Sequence, residues 1–472
     1  MLHVSTRGEA PVIGFTEALL AGLARDGGLY VPETWPALSG PEIAGFAGRS
    51  YEDIAAAVVG RLTGGEFPEG VLAGMIRDAY ATFRHPAVCP LVQLDDNLFV
   101  LELFHGPTLA FKDVAMQLLG RMMDHVLKAR GERATIVGAT SGDTGSAAIE
   151  AFRGLDQVDV FILYPHGRVS DVQRRQMTTV DAPNVHAIAV EGTFDDCQAI
   201  LKALFNNHSF RDQLKLSGVN SINWARIVAQ TVYYFTAGVS LGAPHRPVSF
   251  SVPTGNFGDV FAGYAAKRMG LPVAGFTIAT NANDILARTL ASGSYTVTGV
   301  EPTSSPSMDI QVSSNFERLL FDAYGRDAGE VRRLMAHLTQ AGSFTIGDRP
   351  LAAIRGEFGA EAVSEAETAT EIAQTWEAAG YLTDPHTAVA LAAARRVQPA
   401  DPSVPMVVLS TAHPAKFPDA VERASGIRPE LPEHLADLLG RREHFTVVAN
   451  DVSAIEAFIR DRARALPQAA LQ

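Results

Sequence analysis

Six short runs of apolar and β-branched residues recur along the chain with longer stretches of helical spacing between them. They are ATIVGAT (134–140), VDVFILYP (158–165), VHAIAV (185–190), PVSFSVP (247–253), VAGFTIAT (273–280) and MVVLST (406–411). Strands joined by long helical crossovers pair in parallel, so this alternation specifies an open α/β architecture. Such sheets take their ligands at the carboxyl ends of the strands, and the loops that follow these runs are where chemistry is to be sought.

Between the runs, Val114–Arg130 places Leu118, Leu119, Met122, Met123, Val126 and Leu127 on one helical face, and the methionines there read as core packing. The first hundred residues are different. Helical runs such as FTEALLAGLA are stopped by Gly and Pro, as in RDGGLYVPETWP, which suggests an accessory helical domain. The expected organisation is an N-terminal domain over 1–95, a region with a smaller α/β subdomain over 96–245, and a large α/β region over 246–472. The Ala- and Glu-rich stretch 360–380 reads as a helix whose acidic residues form its solvated face.

At 472 residues the chain can bury a large core, and 47% apolar against 19% charged residues is the balance of a folded globular protein. A net charge of −13 argues against a broad phosphate-gathering surface, so no nucleic-acid partner is expected. Cys89 and Cys197 are too few for a disulfide framework and too far apart in sequence for a metal knuckle, and read as buried thiols. No metal is expected. No apolar stretch reaches the roughly 20 residues that cross a bilayer, and MLHVSTRGEA carries no signal-peptide core, so a cytoplasmic protein without a membrane partner is expected.

Three loops carry unusual residues. After ATIVGAT come Thr140, Ser141, Gly142, Asp143, Thr144, Gly145 and Ser146, running straight into a helix. Free amides and a positive helix end there suit a carboxylate or phosphate, although Ser, Thr and Asp are also ordinary helix caps. After PVSFSVP come Thr254, Gly255, Asn256, Phe257, Gly258 and Asp259, where the glycines allow close backbone approach to an anion. Two such loops together would suit a small cofactor with a phosphate at one end and a carboxylated substrate at the other. In HGPTLAFKD (105–113), Lys112 stands at a helix start among Leu109, Ala110 and Phe111, where desolvation and the helix dipole favour the neutral, nucleophilic amine. A lone lysine with a buried stem and an exposed head would fit the same pattern.

HGPTLAFKD resembles the lysine motif of the threonine synthases and their relatives in the tryptophan-synthase-β-like family, the fold-type II enzymes of pyridoxal 5′-phosphate (PLP). GATSGDTGSA and PTGNFGD resemble the loops this family places around the cofactor ring and phosphate. SPSMDIQVSSNFERLLF (305–321), DPHTAVALA (384–392) and STAHPAKFP (410–418) resemble the bacterial and fungal threonine synthases in particular, and the likeness spans nearly the whole chain. It implies two open, mostly parallel α/β sheets with flanking helices and a helical N-terminal domain. Lys112, in the 96–245 region, would then hold the cofactor as a Schiff base and serve as the catalytic base. Gly255, Asn256, Phe257 and Asp259 would bind the cofactor phosphate, and Thr411 would face the pyridine nitrogen, with Ser410 as its neighbour. Thr140, Ser141, Asp143 and Thr144 would bind substrate. Asn220, Ser221 and Arg226, in NSINWAR, resemble the stretch that takes the substrate's own phosphate, a fork suited to a tetrahedral anion. Without the resemblance the same residues read as helix caps and a surface arginine. Trp224 has no role there beyond packing.

The implied reaction converts O-phospho-L-homoserine and water to L-threonine and phosphate, by loss of phosphate from Cγ and addition of water at Cβ, in a monomer or homodimer. The nearest alternatives are a serine or threonine dehydratase, which needs no phosphate fork, and a phospho-amino-acid lyase, which needs the same fork. A silent ligand-binding relative would be expected to have lost Lys112 or the loops.

Overall fold

A computed structural model describes residues 1–140, 142–397 and 401–465. Eleven strands build two sheets: β1 (Leu91–Asp95), β2 (Leu98–Glu102), β3 (Ala134–Ala139), β4 (Val158–Pro165), β5 (Val185–Glu191), β6 (Leu216–Ser217), β7 (Val248–Pro253), β8 (Val273–Thr280), β9 (Phe358–Ala362), β10 (Met406–Ser410) and β11 (Thr446–Ala449). The larger sheet has the order β9-β8-β7-β10-β2-β1 and the smaller one β11-β5-β4-β3-β6. Every pairing in them is parallel except β1 with β2. Two open, mostly parallel sheets with flanking helices are the architecture that the family resemblance implies.

All six sequence-read strands are present, and the best marked of them, β4, is buried along its whole length. An unbroken apolar run is what a parallel strand covered on both faces requires. Five strands of these sheets escaped sequence reading: β1, β2, β6, β9 and β11. Strands β1, β6, β9 and β11 lie at sheet edges, where one side needs no ladder partner and polar residues are tolerated, as the largely uncovered LVQLD of β1 shows. The 360–380 stretch is split between β9 and a helix over Glu365–Ala379. Its acidic residues are not all solvated: Glu371 is buried and accepts from Arg395 Nε at 2.8 Å and from Thr375 Oγ1 at 2.8 Å.

Five helices bear on the site: α1 (Lys112–Arg130), α2 (Asp143–Phe152), α3 (Trp224–Ser240), α4 (Gly258–Arg268) and α5 (Pro385–Arg396). α1 begins two residues earlier than its apolar spacing suggests and ends on Gly131, whose φ of 64° closes the helix in the left-handed region. The segment before residue 91 contributes helices Tyr51–Thr63 and Glu69–Tyr80 and an antiparallel pair, His3–Ser5 with Tyr30–Pro32. It is tied to the large region by Thr6 Oγ1 and the Arg7 guanidinium, all donating to the buried Glu317 carboxylate. The chain passes between the sheets three times, since β1 and β2 belong to the larger sheet, β3–β6 to the smaller, β7–β10 to the larger again, and β11, from the C-terminal segment, edges the smaller. The three-part division by residue number remains our proposal for the units. Both cysteines are free and buried, and among the described residues no helix is long and apolar enough to cross a membrane.

Candidate active site

The loop from β2 to α1 is held by its neighbours rather than by caps of its own. Phe111 N–H donates to the Thr411 carbonyl at 2.8 Å, His413 N–H donates to the Leu109 carbonyl at 3.0 Å, and Ala110 bridges Ala412. Asp113 closes the loop from below, accepting from Thr108 N–H and from Thr108 Oγ1, both at 2.7 Å. A side chain at Gly106 would strike Asp113, so the turn needs its glycine. This fixes Lys112 as the first residue of α1, buried, between the ends of the two sheets.

Its Nζ lies 3.3 Å from Asp143 Oδ2 and 3.3 Å from Ser307 Oγ. Burial, reinforced by the Lys416 and Arg226 cations, lowers the Lys112 amine from its ordinary range, against the pull of Asp143. The Asp143 carboxylate also accepts from Gln173 Nε2 at 2.9 Å and pairs with Lys416 Nζ at 3.0 Å. Burial alone would raise Asp143, but Lys416, then Lys112 and Gln173, hold it well below the usual carboxylate range.

Asp143 stands at the first turn of α2, beyond the end of β3. Thr140 Oγ1 accepts from Gly142 N–H at 2.9 Å and from Gly145 N–H at 3.0 Å, which is the helix-capping use of that hydroxyl. Thr144 is half-buried, and among the described residues its hydroxyl has no partner. Ser141 lies outside the described residues.

The loop from β7 to α4 is arranged differently. Gly255 and Asn256 turn their carbonyls toward residues 313–315, accepting from Ser313 Oγ at 2.6 Å and Asn315 Nδ2 at 2.9 Å. Among the described residues the amides of Gly255, Asn256 and Phe257 have no acceptor, and Phe257 takes φ of 61° to turn the chain into α4. A Cβ on Gly255 would come within 2.8 Å of the Ser307 carbonyl. Close-packed backbone with unused donors is an anion cradle. Asp259 does not enter it. Its carboxylate accepts from the Tyr233 and Tyr234 hydroxyls on α3, and burial pushes it up to about 6.

Arg226 is in the first turn of α3, buried, and close enough to Lys112 to act on its charge. It is not a surface arginine. Its only hydrogen bond among the described residues is a long one, 3.5 Å from Nη1 to the Val219 carbonyl, and its Nε has no partner. Burial lowers its guanidinium to about 10. A buried cation with unfilled donors marks a place for an anion. Ser221 borders the cradle, its carbonyl accepting from Asn315 Nδ2 at 3.2 Å, whereas the Asn220 side chain is exposed. Trp224 is fully buried, in keeping with packing.

Thr411 follows β10 and is buried, and its hydroxyl has no hydrogen bond among the described residues. Ser410 points elsewhere, 3.0 Å from Thr387 Oγ1. Four residues that sequence reasoning gave no role stand at the centre: Ser307, Lys416, Gln173 and His386. Ser307 N–H donates to His386 Nε2 at 3.3 Å, and His386 Nδ1 is 2.8 Å from Asp384 Oδ1. Three of them lie in the segments that carried the family resemblance, which was their available signal. Gln173 lies in none.

A buried amine facing a carboxylate, with amides that have no acceptor and a guanidinium Nε that has no partner among the described residues, fits PLP and a phosphorylated substrate. Residues 84–412 match the family described as pyridoxal-phosphate dependent enzyme, so the chain is a PLP-dependent enzyme of fold-type II. Residues 2–80 match threonine synthase N terminus and residues 387–459 match threonine synthase, C-terminal. Threonine synthase of Pseudomonas aeruginosa is 53% identical, over 97% of this chain and 98% of that protein. A crystal structure of PLP-bound threonine synthase from Brucella melitensis superposes with a TM-score of 0.96 at 62% identity, covering 98% of this chain and 100% of that one. The yeast threonine synthase structure superposes with a TM-score of 0.93 at 42% identity, covering 98% of each chain. The chain belongs to the threonine synthase family.

Proposed function

We propose that this enzyme converts O-phospho-L-homoserine and water to L-threonine and phosphate, with Lys112 as the lysine that holds PLP and Arg226 as the anchor of the substrate phosphate. The observation that carries the reading is the pairing of a buried amine of lowered basicity with a separate buried guanidinium whose Nε has no hydrogen-bond partner among the described residues. A dehydratase of unphosphorylated amino acids would have no use for that second cation.

When bound, the cofactor supplies an electron sink that acidifies the hydrogens on the substrate's Cα and Cβ. The protein's part begins with the amides of Gly255, Asn256 and Phe257, which would take the cofactor phosphate. Asp259 would act from outside the cradle, fastening the first turn of α4 to α3 through Tyr233 and Tyr234. The uncommitted Thr411 hydroxyl, with Ser410 engaged by Thr387, would face the pyridine nitrogen. Lys112 Nζ would take the proton from Cα and later return it, as a general base must do within hydrogen-bond reach of its proton. Asp143 and Ser307 hold that nitrogen in place. Thr144, whose hydroxyl has no partner among the described residues, and the α2 turn with Thr140 and Ser141 would receive the substrate carboxylate. Arg226 and Ser221 would hold the phosphate as it leaves Cγ, with Asn220 closing on it from the exposed side. A small-molecule substrate, a cytoplasmic location and a monomer or homodimer, without nucleic-acid or membrane partners, complete the proposal.

Product analysis of the purified enzyme with phosphohomoserine tests it. Threonine and phosphate should appear in equal amounts. With 2-oxobutanoate as the main organic product the reaction is that of a phospholyase, and with no turnover the substrate is wrong.

A further inference from the structure

Lys416 is a second lysine at the centre for which the reaction has no evident use. It is wholly buried, on the short turn Pro414–Lys416 that follows β10. Three oxygens lie within 3.0 Å of its Nζ: the Thr108 carbonyl at 2.6 Å, Gln176 Oε1 at 2.8 Å and Asp143 Oδ1 at 3.0 Å. None of the three carries a hydrogen. The Gln176 amide is oriented by its own Nε2, which donates to the same Thr108 carbonyl at 3.0 Å. An ammonium has three N–H groups for three acceptors, whereas a neutral amine would turn a lone pair against one of them. Lys416 is therefore the charged lysine of the pair.

Lys112 is set differently. Among the described residues its Nζ has two hydrogen-bonding neighbours, both at 3.3 Å, and one of them, the Ser307 hydroxyl, can donate as readily as accept. Asp143 is the one carboxylate in contact with both lysines, the buried Asp113 carboxylate being turned to Thr108, and Arg226 adds a further cation nearby. Of the two lysines that share Asp143, the contacts leave Lys112 to give up its proton.

We propose that Lys416 is a positioning residue, whose buried ammonium holds Asp143 in place and absorbs its charge so that the Lys112 amine stays neutral. A neutral amine is the form that adds to an aldehyde and accepts a proton. This rests on the reading of Lys112 given above. The other charged or titratable groups facing the cluster are Arg226 on α3, His386 on α5, Asp113 next to Lys112 on α1, and His413 beside Lys416. Among these only Asp143 touches both lysines. The lowered basicity of Lys112, to which Lys416 contributes, agrees with the geometry.

The test measures how the reaction of Lys112 with an amine-directed methylating reagent depends on pH, read by mass spectrometry on the full-length cofactor-free protein. The acid limb of kcat/KM for the holoenzyme is measured alongside. Lys416→Gln should raise the Lys112 midpoint by about one pH unit or more, because Asp143 is then free to pair with a protonated Lys112. Lys416→Arg should restore the wild-type midpoint. Asp143→Asn should move it the opposite way, downward, and the acid limbs of the holoenzymes should follow the same order. An unmoved midpoint in Lys416→Gln overturns the proposal, as does a midpoint that Lys416→Arg fails to restore. If Lys416→Gln does not fold, a raised or unchanged midpoint in Asp143→Asn overturns it. Failure of the underlying reading is distinguishable: added PLP would then leave Lys112 unprotected from methylation in the wild type.

Discussion

The two halves of the site are built on opposite principles. Around Lys112 the polar atoms are occupied: Asp143 has four partners, Lys416 has three acceptors, and His386 is oriented by Asp384. Around Arg226 and the Gly255–Phe257 turn they are vacant, with an unpartnered Nε and three amides without acceptors among the described residues. The occupied half is preorganised for proton transfer, since a buried network holds its groups most rigidly when fully satisfied. The vacant half carries a desolvation cost that an anion relieves on binding. Substitutions in the first half should therefore abolish chemistry, and substitutions in the second should weaken affinity.

The largest effect is expected at Lys112. Lys112→Ala should abolish turnover while leaving the circular dichroism and thermal midpoint close to wild type, because among the described residues the side chain's polar contacts are two long ones. Lys112→Arg should be equally inactive. Residual turnover above one part in about 10³ would mean that another base serves Cα.

Arg226→Ala comes next. It should lower kcat/KM for phosphohomoserine by about 10²-fold, the loss of a charge-assisted contact of roughly 2–3 kcal/mol, and leave the visible spectrum of the bound cofactor unchanged. Inorganic phosphate should protect the wild type against thermal unfolding more than it protects the variant. Normal turnover in Arg226→Ala would return that arginine to a packing role.

Gly255→Val should spare catalysis by any molecule that retains cofactor but let PLP escape on dialysis, since a side chain would meet the Ser307 carbonyl and fill the approach to the amides. Full cofactor content after extensive dialysis would place the phosphate elsewhere.

The smallest effect concerns Asp259. Burial holds it at about 6 in the folded protein, above the ~3.9 of an unfolded aspartate. Between those values the folded state keeps a proton that the unfolded chain has released, so this group makes stability fall as pH rises through the window. Asp259→Asn removes the dependence, and the urea midpoint of the cofactor-free variant should drop less than that of wild type from about pH 4 to about pH 6. Identical slopes would show an ionised Asp259 in the native state.

What could be read from the sequence divides along the same line. The vacant half was legible, because cradles are made by consecutive residues: a strand, a glycine turn and a helix start are contiguous in TGNFGD. The six buried strands were legible for a similar reason, each being a local apolar run. Of the occupied half, Lys112 and Asp143 were singled out in their loops, but their meeting with Ser307 and Lys416 was not legible. Lys112, Asp143, Ser307 and Lys416 converge from four separate segments across both sheets, and no local pattern announces that a lysine in AHPAKFP will be wholly buried against an aspartate more than two hundred residues away. Asp259 shows the converse. It belongs to the motif by position, yet its side chain turns to Tyr233 and Tyr234, a partnership only the packing of α4 on α3 reveals.

The most direct test of the account is to locate the lysine that carries the cofactor. Borohydride reduction of the holoenzyme fixes PLP to that side chain, and peptide mapping by mass spectrometry identifies it. The account predicts one modified residue, Lys112, with Lys416 untouched because its ammonium is spent on Thr108, Gln176 and Asp143. Cofactor found on Lys416, or on any lysine other than Lys112, would contradict it.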